Sequence, residues 1–172
     1  MMPVRHVLPA CVACLCLGVA APAVAQVKSG PQSVDACTAV PKAQLDVAVG
    51  KPLKAQKVSP GTPTSLGVSV CMWATADGRK TLSISTYAPA AVRNTQAKTI
   101  DAYFESLKTQ NAQFSGRPKV IAGVRKRAVS FASARGVGDT ILVLRDDCAI
   151  VMNVGGFASA DLPALAKAAG QP

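Results

Sequence analysis

The feature that most constrains this chain is a pair of apolar runs, "TILVLR" and "CAIVMNV", held apart only by Asp146 and Asp147. So short a link permits a hairpin and little else. Both runs are apolar at successive positions, which predicts central strands covered on both faces. A chain carrying such a pair must build a sheet around it and supply other elements to cover that sheet.

The flanking segments provide them. In "SLGVSVCMWA", Leu66, Val68, Val70 and Met72 form a greasy face, while Gly67, Ser69, Cys71 and Trp73 form a mixed one. "TLSISTY" alternates likewise at Leu82, Ile84 and Thr86, and "ADGR" joins the two. A three-residue loop Ala76-Asp77-Gly78, with Gly78 left-handed, sets Met72 opposite Leu82 and Val70 opposite Ile84. "KAQK" predicts a further short strand before a proline-rich loop, and "KVIAGV" and "RAVSFA" predict two more. Pro41 and Gly50 bracket a short helix with Leu45 and Val49 on one face. "PAAVRNTQAKTIDAYFESLKTQNA" reads as one long helix with Ile100, Tyr103, Phe104 and Leu107 along its apolar stripe. "SADLPALAKAAG" closes as a helix capped by Ser159 or Asp161. Strands in hairpin-linked clusters imply an α+β fold: an antiparallel sheet of about six to seven strands packed with three helices.

The first residues, "MMPVRHVLPACVACLCLGVAAPAVAQ", read as a secretory signal peptide over 1–25. The apolar run is shorter than the roughly 20 residues of a membrane span, and "AVA" precedes Gln26. Residues 26–32 form a polar arm, and 33–172 form one α+β domain with no transmembrane segment. Periplasmic or secreted localisation follows. Cleavage removes Arg5 and the only histidine, His6, leaving a charge of about +9. Without histidine, neither a Ser-His-Asp nor a Cys-His nucleophile can be assembled, and no imidazole metal site exists. Cys37, Cys71 and Cys148 remain, in a compartment where disulfides persist. Their odd count leaves either a free thiol or an intermolecular bridge.

"CTAVPKAQLDVAVGKPL", the "CMW" at Cys71 to Trp73, the glycine-rich segment before the last hairpin and the alanine-rich "LPALAKAAG" together resemble small exported bacterial envelope proteins of unknown function, typified by actinobacterial lipoproteins. That resemblance implies a PsbP-like α/β/α sandwich whose members mostly bind partners and share no catalytic site. The chain departs from the family in three ways: its leader lacks a lipid-modified cysteine, "GVRKRA" is basic where members carry an acidic segment, and Cys148 has no counterpart.

"GVGDT" leads into a β-branched run with no lysine following, so it reads as a glycine turn entering a strand and not as a phosphate loop. Cys148 sits beside Asp146 and Asp147, which raise a thiol's pKa, so it reads as an inert free thiol. Adjacent Asp146 and Asp147 diverge, and Asp101 and Glu105 lie one helical turn apart near Lys98 and Lys108, which is surface ion pairing. Lys51, Lys54 and Lys57 form one basic cluster, and Arg125, Lys126 and Arg127 another. The second run is the candidate for an anionic envelope ligand. Trp73, Tyr87 and Tyr103 do not interleave with it, which argues against nucleic acid.

These readings converge on an exported, non-catalytic binding or interaction module of the cell envelope, needing no cofactor or metal, whose partner is a protein or an anionic envelope ligand. The alternatives are a small hydrolase or transferase acting on an envelope polymer, and a purely structural envelope protein. A Cys37–Cys71 disulfide with Cys148 left as a thiol is expected, because Cys71 lies opposite the greasy face, where the first helix can pack with Cys37 at its entrance.

Overall fold

The computed structural model describes residues 33–56, 67–93, 95–133 and 138–171. The expected leader (1–25), the arm (26–32) and the proline-rich loop with Lys57 and Leu66 lie outside the described residues.

The first half of the chain runs α1 (Lys42–Val49), β1 (Leu53–Gln56), β2 (Val68–Thr75), β3 (Thr81–Tyr87) and α2 (Pro89–Arg93). The second half runs α3 (Ile100–Ser115), β4 (Lys119–Val120), β5 (Arg127–Phe131), β6 (Asp139–Leu144), β7 (Ala149–Gly155) and α4 (Leu162–Ala169). The seven strands form one sheet in the order β1-β2-β3-β7-β6-β5-β4, with every neighbouring pair antiparallel. Two meanders therefore meet at β3 and β7, and α3 carries the chain to the far edge so that the second meander can work back. The architecture is the expected α+β one, an antiparallel sheet between helices.

The β6–β7 hairpin sits as its unbroken apolar runs require. Ile141 and Val143 join Ile150, Met152, Leu82, Ile84, Cys71 and Trp73 in a core beneath α1 and α4. Leu142 and Leu144 point the other way and join Val129, Phe131 and Phe104 of α3 in a second core. Strands with a core on each side carry no polar alternation, which is the physical origin of the pattern in the sequence.

Four local expectations are corrected. The β2–β3 register pairs Met72 with Ser83, Trp73 with Leu82 and Cys71 with Ile84, one residue away from the expected pairing. Its loop spans Ala76–Arg79: Gly78 N–H donates to the Thr75 carbonyl at 2.9 Å, and Thr75 N–H to the Lys80 carbonyl at 3.0 Å. Gly78 does adopt φ 66°. The shift has a clear cause, because a one-residue slip exchanges faces. It is the mixed face of β2, Ser69, Cys71 and Trp73, that is buried beside Leu82 and Ile84, and Val70 and Met72 are left half-buried.

The second correction concerns the long helix, which is two helices, α2 and α3, so the described residues hold four helices where three were expected. Thr99 starts α3 afresh, its hydroxyl accepting from Ala102 N–H at 3.2 Å, and Lys98 before it has φ 60°, a conformation no helix continues through. Third, Asp101 and Glu105 are ion-paired as expected, Glu105 with Lys108, but Arg127 of β5 bridges both, at 2.8 and 2.7 Å, and Lys98 instead donates to the Arg93 carbonyl at 3.4 Å. Fourth, Asp161 occupies the N-cap position of α4 without a capping bond. Its carboxylate accepts from Lys80 Nζ and from Ala158 N–H, both at 3.3 Å, and so ties α4 to β3.

The N-terminal segment before α1 is stitched to the sheet. Cys37 and Cys71 form a disulfide with Cα atoms 5.1 Å apart. Ala36 N–H donates to Ser69 Oγ at 3.0 Å, and the Thr86 hydroxyl donates to the Val34 carbonyl at 2.5 Å. Among the described residues no helix is long and apolar enough to cross a membrane.

Candidate functional site

The basic run follows from how β4 ends. Ile121 N–H donates to the Ala128 carbonyl at 2.9 Å, so the residues between them are thrown out as a turn with Gly123 at φ 78°. Arg127 re-enters the sheet on the α3 face. Its guanidinium holds Asp101 and Glu105 across α3 and lies 5.3 Å from the centre of the Phe104 ring. Glu105 is also bridged by Lys108 on its own helix. Arg127 is thus committed to fixing α3 on β5.

Lys126 and Arg125 stand further out. Lys126 Nζ lies 3.3 Å from Asp146 Oδ1 and 3.6 Å from Asp101 Oδ2. Arg125, 68% exposed, has one carboxylate near it, Asp146 at 3.9 Å. At that separation and exposure the pair contributes little. Asp146 comes from the β6–β7 turn, whose neighbour Asp147 turns inward. The two carboxylates diverge as expected.

Asp147 meets Arg145, which is 12% exposed. Arg145 Nε and Nη2 donate to the two oxygens of Asp147 at 2.8 Å each, and Nη1 donates to the Ala39 carbonyl at 2.7 Å. Such a fork is rigid because the planar guanidinium and the carboxylate match in two bonds. Around this turn Arg125, Lys126, Arg145, Asp146, Asp147 and Gly170 line a cleft of about 270 Å³. Arg125 and Lys126 form its solvated rim and the Arg145–Asp147 pair its half-buried wall.

Cys148, fully buried, lies behind that wall and is the free cysteine of the described residues. Burial pushes its thiol up to about 12; the adjacent Asp147 charge adds to this, Arg145 opposes it, and the thiol's own hydrogen bond to Asp147 Oδ1 at 3.5 Å stabilises the protonated form. At pH 7 the thiol is therefore held protonated. A group so rarely ionised is no nucleophile. Nor do any three His, Cys, Asp or Glu side chains among the described residues converge as metal ligands would.

The remaining motifs fall into place around this cleft. Gly138 has φ 138°, and a Cβ there would meet the Val154 carbonyl at 2.4 Å, so the glycine serves a close backbone approach as the chain enters β6. Gly136 lies outside the described residues. Lys51 pairs with Asp77 at 3.0 Å, and Lys54 is exposed on the edge strand β1. The sequence named the basic run but missed what opposes it. Asp146 stands out in the sequence only for its place in the turn, and its partners at 125–126, like the Ala39 partner of Arg145, are fixed only by the path of the chain.

No family model, no curated protein and no solved structure matches this chain.

Proposed function

We propose that the protein is an exported, non-catalytic binding module of the bacterial cell envelope, and that its ligand presents a carboxylate or phosphate to Arg125 and Lys126 at the mouth of the cleft. One observation carries this reading: Arg125 is largely exposed and its nearest carboxylate stands 3.9 Å away, leaving the guanidinium free to take a better anion. Arg127 drops out of the ligand set, since both its arms hold α3. The Cys37–Cys71 disulfide supports an oxidising compartment. The resemblance to exported envelope proteins with a PsbP-like sandwich supports the envelope and the binding role. The protonated Cys148 and the diverging Asp146 and Asp147 weigh against the hydrolase or transferase alternative.

The test is a titration of the protein with vesicles of phosphatidylglycerol and with polygalacturonate, at low and at physiological salt, for wild type, Arg125→Lys and Arg125→Ala. A specific anion site loses about tenfold or more in affinity in Arg125→Lys, because lysine cannot grip in a bidentate way. Binding that falls with salt and ignores the lysine swap is nonspecific attraction, and sinks the proposal. Absence of binding at either salt concentration sinks it as well, leaving the structural role.

A further inference from the structure

The sheet face that carries α3 is covered over β5, β6 and part of β7, where the Phe104 core lies. Beyond it, Met72, Ser83, Asn153 and Thr140 stand in one row across β2, β3, β7 and β6, each the direct cross-strand partner of the next. Such partners sit about 5 Å apart on one face. Here they form the floor of a trough of about 300 Å³.

Its polar groups are open. The Thr140 hydroxyl donates to Asn153 Oδ1 at 3.1 Å, which fixes the carboxamide and leaves both Nδ2 protons without an acceptor among the described residues. Asn153 is exposed, and Ser83, Thr140 and Met72 are half-buried. No hydrogen bond to the described protein engages the hydroxyl of Ser83, and Met72 supplies the one flexible apolar side chain beside it. At one end Gly155 and Thr81 approach closely, since a Cβ on Gly155 would lie 2.7 Å from Thr81 Oγ1. Among the described residues no cation lines the trough, although the chain as a whole carries +10. The carboxylate at its rim, Asp139, is held by Ser133 N–H at 3.2 Å.

We propose that this trough is a subsite for a neutral sugar unit of a glycan. A sugar ring offers hydroxyls that both donate and accept, matching a fixed amide donor flanked by two hydroxyls, and a C–H face that suits Met72. An anion would find no cation among the described residues here, and a purely apolar ligand would strand the Asn153 and Ser83 groups without partners. The volume, at the small end of ligand pockets, takes a sugar ring and not an extended peptide. The site is separate from the Arg125 cleft and does not depend on it.

The experiment is a backbone amide shift titration of the whole mature protein with chitotriose and with maltotriose to about 20 mM, a range suited to millimolar binding. Saturable shifts at Ser83, Thr140 and Asn153 with either trisaccharide are expected, with affinity reduced about tenfold in Asn153→Leu and in Thr140→Val. Unchanged shifts in α1 and α4 show that each variant is folded. Absence of saturable shifts with both sugars overturns the proposal, and so does saturation that maps to Arg125 and Lys126 or that neither variant weakens. The anion titration reads Arg125 and this one reads Asn153, so the two proposals stand or fall separately.

Discussion

Arg145 grips Asp147 through two hydrogen bonds of 2.8 Å and spends its remaining edge on the carbonyl of Ala39, 106 residues earlier in the chain. One side chain therefore sets the shape of the β6–β7 turn and fastens it to the segment that precedes α1. Arg145→Lys retains the charge but cannot make all three bonds. It is expected to lower stability by about 2 kcal/mol, read as a shift in the urea midpoint followed by fluorescence of the single, buried Trp73.

The disulfide closes a separation of 34 residues that contains α1, β1 and the start of β2. Replacing both Cys37 and Cys71 with serine is expected to cost about 3–4 kcal/mol in the chain-entropy account. Equilibrium unfolding of the double variant against wild type under oxidising conditions measures it. A loss below about 1 kcal/mol would mean that the unfolded chain is already compact over that loop.

Cys148 gives the molecule an alkaline limit. Its folded pKa, pushed up to about 12, stands above the ordinary 9.0 of an unfolded thiol, so the folded state holds its proton where the unfolded state does not. The stabilisation is full below pH 9 and is lost as pH rises from about 9 to about 12, at up to roughly 1.4 kcal/mol per pH unit. Cys148→Ala is expected to flatten that decline when unfolding midpoints are compared at pH 8 and pH 10. In the native protein at pH 8 the thiol should also resist an aromatic disulfide reagent until urea opens the fold, which excludes it from an intermolecular bridge.

Asp77 acts at the other end of the scale. Its carboxylate takes the Thr75 hydroxyl at 2.5 Å, Lys51 Nζ at 3.0 Å and Arg79 N–H at 3.1 Å. These bonds, that of Thr75 foremost, hold its pKa well below the usual carboxylate range. Its contribution is present above about pH 4 and is lost as pH falls through the lowered pKa. Asp77→Asn should therefore be less stable than wild type at pH 7, and the gap should close towards pH 2. A gap that stays constant between those two pH values would assign the effect to turn shape alone.

Much of this fold was legible because it is written in local chemistry. Leu45 and Val49 between Pro41 and Gly50 gave α1, and unbroken apolar runs around Asp146 and Asp147 gave the central hairpin with its two covers. The β2–β3 register was misread because both faces of β2 carry apolar residues, and Cys71 and Trp73 outweigh Val70 and Met72 only once α1 and α4 are seen above them. The break before α3 was hidden because Thr99 caps from inside a pattern that otherwise keeps helical spacing. At the candidate site the cations were visible as a run, but their opposing carboxylates come from α3 and from the β6–β7 turn, and tertiary structure alone brings these together. The trough row of Ser83, Asn153 and Thr140 is spread over three strands and has no sequence signature at all.

The bond between Cys37 and Cys71 also decides how the domain takes a pull. Tension drawn through the residues ahead of Cys37 passes along the covalent link to the interior of β2. Helix α1 and strand β1 fall inside the closed loop and lie off that path. β2 is hydrogen-bonded on both edges, to β1 and to β3, so the force enters the sheet at a strand held by two ladders. With the sulfurs reduced, the same pull would peel the N-terminal segment and α1 from the sheet a few contacts at a time. Redox state therefore sets whether the molecule tears from its middle or unravels from its end.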